Sequence, residues 1–204
     1  MTTLILSPYP EKIAHLVGPH QTVAGPPDQW PRRDFNQIIS FGYRHIIREP
    51  YLRWYKDRLF NLHISLLPWN RGADPNFWSW FERTPKGVTL HHIDAGIDTG
   101  DIVAQRVVKF EPDDTLGTAR ERLHAAAVSL FAETWPLILA GRAERRAQPS
   151  GGNIHYVRDF AALARQYPIP MGPDVPTRVI AEAGTMYRRS LAPLEAAHHG
   201  GVLR

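Results

Sequence analysis

Asn61, His63 and Asp98 are the residues of this chain whose types and spacing could do chemistry. The first two open the run NLHISLLPWNRGADPNFWSW and sit two apart, which in an extended strand directs both side chains to one face. Asparagine offers amide N–H donors, and histidine donates from its imidazole when protonated. A carbonyl oxygen held between them would be stabilised as negative charge develops on it. Asp98 lies in GVTLHHIDAGIDTGDIVAQ, at the tip of a turn bounded by Gly96 and Gly100. A carboxylate there would keep His63 protonated or accept a proton from an attacking amine. An amide, an imidazole and a carboxylate, with no cysteine and no obvious metal set, suit acyl transfer through a tetrahedral oxyanion. Types and spacing leave blander roles open. A lone histidine at a strand end is more often a satisfied structural residue, and aspartate beside glycine is a common turn former.

The surrounding pattern must position these groups. A short apolar run at 4–6, ended by Ser7-Pro8, predicts a first strand, and 11–17 carries helical spacing stopped by Gly18-Pro19. A weak strand is expected near Thr22-Val23, then a proline- and arginine-rich loop over 25–33. Residues 37–41 read as a buried strand, 51–56 as a short helix behind Pro50, and 58–63 as the strand carrying Asn61 and His63. Alternating strands and helices argue for an α/β fold with a mostly parallel twisted sheet and flanking helices. Its ligands belong at the carboxyl ends of the strands. A loop follows over 65–71, a helix over 75–81, and strands over 87–94 and 102–110 on either side of the Asp98 turn. Thr115 is a candidate cap for a helix with Leu116, Ala119, Leu123, Ala127 and Leu130 on one face; Pro136 should kink or end it, and Gly141 close it. Beyond Gln148 prolines and glycines are frequent, and only 160–167 and 176–187 show weak helical pattern. The organisation expected is a catalytic domain over 1–148 with a C-terminal extension, 149–204, packed on it.

With 204 residues, 43% apolar and 22% charged, the chain suits one soluble domain. No apolar run spans a membrane, and the N-terminus lacks a basic region and a cleavage site, so a cytoplasmic protein without membrane contact is expected. The formal charge of +4 comes mainly from scattered arginines such as Arg142, Arg145 and Arg146, which would steer an anionic substrate or simply be solvated. No basic helix with interleaved aromatics suggests nucleic-acid binding. His91-His92 could suggest a metal, but adjacent strand residues face opposite ways, and no metal site is expected. Trp69, Trp78 and Trp80 would line a ligand cleft or pack in a core or interface, and a homodimer is a possible consequence.

At Asn61 to Pro68 the sequence resembles the N-x-H-x-S-x-L-P motif of the folate-dependent formyltransferases, and Gly87-Val88-Thr89 followed by Ile97-Asp98-Thr99-Gly100-Asp101 resembles that family's second motif. The likeness covers roughly 36–110. It implies a Rossmann-like formyltransferase fold, with a shortened N-terminal half in this chain, and N10-formyltetrahydrofolate as formyl donor. It further implies that Asn61 and His63 polarise the formyl oxygen, that Asp98 assists proton transfer, and that a primary amine attacks the formyl carbon. Ser65 would support the loop. Tyr43, Arg44, His45, Ile46 and Ile47 match the place where the family wraps backbone around the pteridine, and Ile93, Asp94, Ala95, Gly96 and Ile97 match the other wall.

SFGYRHII, LPWNRGADPNFWS and Gly151-Gly152 with His155, Arg158 and Asp159 are most similar to the sugar-nucleotide N-formyltransferase branch, so the acceptor implied is an amino-dideoxysugar nucleotide. An amino acid or another biosynthetic amine is the alternative, as is a folate-binding relative without activity; a hydrolase would use the same triad with water. The chain before Asn61 is shorter than in most relatives, so a strand–helix unit or a phosphate-binding turn is expected to be missing. A barrel-like domain for tRNA is not seen, and the tail from Pro168 matches no family pattern.

Overall fold

A computed structural model describes residues 2–31 and 34–199. Four strands lie parallel: β1 (Thr3–Leu6), β2 (His20–Val23), β3 (Gln37–Phe41) and β4 (Leu59–His63). β5 (Arg71–Gly72) leaves this sheet, and β6 (Gly87–His92) and β7 (Ile102–Val107) return to it antiparallel, giving the order β2-β1-β3-β4-β6-β7. β8 (Ile154–His155) pairs with β5 in a separate two-stranded ribbon. The sheet is therefore mostly parallel and α/β, with a hairpin on one edge. β1 is buried throughout, as a strand covered on both faces must be, which explains its unbroken apolar run.

Among the described residues six α-helices surround the strands: α1 (Glu11–Ala14), α2 (Tyr51–Trp54), α3 (Pro75–Phe81), α4 (Leu116–Leu139), α5 (Val157–Gln166) and α6 (Thr177–His199). α1 and α2 are shorter than their apolar spacing suggests. α1 gives way to turns before Gly18, whose φ of 68° no continuing helix can hold. α4 begins as expected, with Thr115 Oγ1 accepting from Thr118 N at 3.2 Å. It then runs through Pro136, losing one backbone bond, and stops near Gly141 at φ 65°. Burial of Phe131, Trp135 and Ile138 against the sheet offsets the missing bond.

Alternation along β4 divides the two faces of the sheet. Phe60 and Leu62 join Ile39, Phe41 and Leu90 in the core beneath α4, while Leu59 joins Ile38, Ile47 and Tyr55 on the other side. Asn61 and His63 share the parity of Leu59 and so face away from α4.

The C-terminal segment forms far more helix than its weak pattern suggests. α5 and α6 extend beyond 160–167 and 176–187, and Leu163 and Ile180 complete a third apolar cluster with Phe77, Trp78 and Phe81. Packing against α3 supplies what local propensity lacks. The approach is close: a Cβ built on Gly184 would lie 1.8 Å from the Phe81 carbonyl oxygen. Gly184→Ala should therefore cost about 1–3 kcal/mol, read as a melting temperature lower by roughly 2–12 °C. Unchanged melting would show that α6 does not seat there.

Candidate active site

β4 and β6 build the floor of the site by their register. Asn61 stands opposite His91 and His63 opposite Thr89, so an amide and two imidazoles share one face near the carboxyl end of β4. His92, one residue on, lies on the other face against Phe60, with ring centroids 4.7 Å apart. Asp98 closes over this floor from the turn between β6 and β7. Its φ of 51° lies in the left-handed region, which aspartate tolerates better than most residues. Gln148 straps the turn down, its Nε2 donating to the carbonyls of Asp98 at 2.8 Å and Gly100 at 2.9 Å.

The structure brings Asn61, His63 and Asp98 together. Asn61 Nδ2 donates to Asp98 Oδ1 at 3.1 Å, and His63 Nδ1 lies 3.6 Å from Asp98 Oδ2. The Gly72 N–H donates to the same Oδ2 at 2.9 Å. His91 Nε2 lies 3.2 Å from Asn61 Nδ2 and 3.4 Å from Asp98 Oδ1, so it accepts from the amide when bare and donates to the carboxylate when protonated. His91 Nδ1 faces the His92 carbonyl at 2.7 Å, which commits that nitrogen as a donor. Burial alone would raise the pKa of Asp98, but the charge of His63, the hydrogen bond and charge of His91, and the Gly72 N–H together hold it well below the usual carboxylate range. Asp98 is thus an anion held ready beside two rings that can carry protons.

His63 has a defined proton inventory. Its Nε2 sits 2.9 Å from the Asn70 carbonyl, which can only accept, so Nε2 carries hydrogen. The proton that can come and go is therefore on Nδ1, next to Asp98. A carbonyl oxygen entering between Asn61 and His63 would meet an amide donor on one side and that proton on the other. Ser65, buried, donates from Oγ to the Trp69 carbonyl at 2.7 Å and so pins the loop after β4.

The family model described as "Formyl transferase" matches residues 32–135. The formyltransferase PseJ from Anoxybacillus kamchatkensis, solved in complex with UDP-4,6-dideoxy-4-formamido-L-AltNAc and tetrahydrofolate, is 38% identical and superposes with a TM-score of 0.80 over 90% of this chain and 100% of that one. The chain belongs to the formyl transferase family. Among curated relatives, the methionyl-tRNA formyltransferase of Agathobacter rectalis is 36% identical over 126 residues, 60% of this chain and 41% of its own length. That of Geobacter sulfurreducens is 34% identical over 116 residues, 56% of this chain and 36% of its own length. The chain spans less than half the length of these curated relatives.

The segments expected to hold the folate are 43–47 and 93–97. Tyr43, Ile47 and Ile93 meet in the apolar cluster on the Asn61 face of the sheet. Tyr43 is anchored through its hydroxyl, which donates to the Gly25 carbonyl at 2.6 Å and accepts from Trp30 Nε1. Arg44, His45 and Ile46 are exposed, Ile46 at 53%. On the facing segment Asp94 organises the turn, accepting from Gly96 N at 3.1 Å and Thr99 Oγ1 at 2.6 Å; Ala95 is exposed and Ile97 half-buried. Neither 43–47 nor 93–98 belongs to a helix or strand; within the second segment Ile93 N donates to the Leu59 carbonyl at 3.0 Å.

Reasoning from sequence missed His91, Gln148 and the loop around Asn70. The cross-strand pairing of Asn61 with His91 would have singled out His91, but register is invisible before the sheet is assembled. Of the tryptophans, Trp78 is buried and stacks on His155 with ring centroids 3.8 Å apart, Trp80 lies edge-on to Phe110, and Trp69 is partly exposed. No group of three or more His, Asp or Glu able to hold a metal ion occurs among the described residues, and no helix among them is long and apolar enough to cross a membrane.

Proposed function

We propose that this protein transfers the formyl group of N10-formyltetrahydrofolate to a primary amine of an amino-dideoxysugar nucleotide. The observation that carries the reading is the half-buried Asp98 carboxylate joined to Asn61 and within reach of His63 at the end of β4. Family membership supports the reaction type. The complex of PseJ with a formamido sugar nucleotide and tetrahydrofolate supports the acceptor, since that relative is matched along its whole length.

The irregular segments 43–47 and 93–97, with exposed Ile46 and half-buried Ile93 and Ile97, offer apolar side chains that suit a planar heterocycle. When bound, the donor supplies an activated one-carbon unit at the level of a formamide. Asn61 Nδ2 and the Nδ1 proton of His63 then turn from Asp98 to the carbonyl oxygen as negative charge grows on it. Asp98 stays ionised and stabilises the ring that carries the proton. As the attacking amine bonds to the formyl carbon, His63 gives its Nδ1 proton to the donor nitrogen, whose bond to that carbon breaks, and takes up the proton the amine loses, while Asp98 stays ionised beside it.

A second acceptor, methionyl-tRNA, is favoured by the names of the curated relatives. Incubating the protein with N10-formyltetrahydrofolate and, in parallel, UDP- and dTDP-linked 3-amino and 4-amino sugars, free amino acids and methionyl-tRNA tests the reading, with the formamide detected by mass spectrometry. Formylation of a sugar nucleotide alone is the expected result. Formylation of methionyl-tRNA alone would replace the acceptor, and no transfer to any amine alongside tight folate binding would favour a folate-binding protein. Self-association as a homodimer completes this reading, prompted by Trp54, 57% exposed. A light-scattering mass equal to one 23.2 kDa chain at micromolar concentration would remove it.

A further inference from the structure

We infer that Asn153, in the C-terminal segment, is a positioning residue for His63 and Asp98, acting through Asn70 and Gly72. The inference rests on the catalytic roles proposed above, and its physical basis is a continuous set of hydrogen bonds. Asn70 is fully buried with φ 54°, a conformation that needs external support. Its carbonyl accepts the Nε2 proton of His63 at 2.9 Å. Its own N–H donates to Asn153 Oδ1, and its Oδ1 accepts from Asn153 Nδ2 at 3.2 Å. The next peptide is held too, with Arg71 N donating to the Asn153 carbonyl at 3.1 Å. Asn153 therefore grips Asn70 through its side chain and Arg71 through its backbone.

Gly72 follows directly and delivers its N–H to Asp98 Oδ2 at 2.9 Å. It runs so close to β8 that a Cβ on it would lie 2.2 Å from the His155 carbonyl oxygen. One strip of chain, 70–72, thus fixes the tautomer of His63 on one side and supplies a donor to Asp98 on the other. Asn153 holds that strip in register.

Asn153 is itself oriented. Its Nδ2 donates to Glu82 Oε2, and the other Glu82 oxygen lies 3.1 Å from His155 Nε2. His155 is stacked flat on Trp78, with an interplanar angle of 6°. The amide cannot flip without setting its oxygen against the Glu82 carboxylate and its NH₂ against the Asn70 N–H. This fixed polarity makes it a positioning device rather than a generic contact.

Three variants test the assignment. In Asn153→Ala, kcat should fall on the order of 10- to 100-fold with little change in KM, because the catalytic geometry and not the binding surface is disturbed. The ¹⁵N signature of His63 as the Nε2–H tautomer, sharp in the wild type, should give way to a mixture of tautomers. Phe160→Ala is the comparator: it removes a ring packed 5.0 Å from Phe77 in the same C-terminal segment without touching Asn70. It should lower stability while leaving kcat and the His63 signature unchanged. Asn153→Asp, isosteric, keeps the acceptor for Asn70 N–H but sets a second carboxylate against Glu82. Its kcat relative to wild type should rise as pH falls and the pair takes up a proton. An Asn153→Ala protein with an intact His63 signature, or one no slower than Phe160→Ala, overturns the inference, as does a flat relative pH profile for Asn153→Asp. The tautomer measurement needs no substrate, so it stands even if formyl transfer itself is not the activity.

Discussion

Replacing Asp98 by asparagine should slow formyl transfer by about 10²–10⁴-fold. The carboxylate accepts from Asn61 Nδ2 and from Gly72 N–H at once, and faces His63 and His91 with both oxygens. An amide of the same size has one oxygen and one NH₂. Whichever way it turns, either the Asn61 amide or the Gly72 N–H meets a donor, and an unmet buried donor costs about 1–3 kcal/mol. The carboxylate oxygen that faces His63 Nδ1 at 3.6 Å loses its negative charge as well. Initial rates at saturating substrate test the point, and turnover like wild type would remove Asp98 from the mechanism. The same substitution should change acid stability. A carboxylate held below its usual pKa stabilises the fold fully above its unfolded value of about 3.9, and that contribution is lost as pH falls towards the native value. The melting-temperature gap between wild type and Asp98→Asn should therefore be widest above about pH 5 and close progressively below about pH 4. A gap independent of pH would show that Asp98 is not held ionised.

His63→Ala should be comparably damaging, again about 10²–10⁴-fold, because it removes the group whose Nδ1 proton can meet the developing oxyanion. His63→Gln separates chemistry from packing: it keeps bulk and a donor for the Asn70 carbonyl but has no labile proton, so its rate should stay close to that of the alanine variant. Added imidazole should restore part of the activity of His63→Ala alone. A glutamine variant near wild-type rate would reduce His63 to a structural role. There is also an electrostatic readout. After burial, which raises the Asp98 pKa, His63 makes the largest opposing contribution, so its removal should move the Asp98 carboxyl titration upward by ¹³C NMR. An unmoved titration would show that the two groups are not coupled.

Much of the site was legible before folding was considered. Asn61 and His63 share a face because a strand alternates, and the glycines around Asp98 announce a turn that can hold a left-handed residue. β1 and the Ile38-Ile39 core of β3 are short apolar runs that local pattern reveals, whereas β2, at the sheet edge, is polar and half-exposed. The helical pattern of α6 is weak in sequence because its face is satisfied by distant partners, above all α3, whose Phe81 backbone it approaches at Gly184. His91 was read as one of a pair facing opposite ways, which the structure bears out, but its place beside Asn61 depends on a register between β4 and β6.

The residue types and their short-range spacing determined by themselves that an amide, an imidazole and a carboxylate could serve an α/β scaffold. Backbone alternation and turn chemistry act over a few residues and leave their mark locally. Only the tertiary structure decided how those groups are held: Gly72 N–H on Asp98, Gln148 across its turn, and Asn153 behind Asn70. Each of these contacts joins residues far apart in the chain. Hydrogen bonds of this kind depend on where two backbones meet, and that meeting is set by sheet register and by the packing of the C-terminal helices.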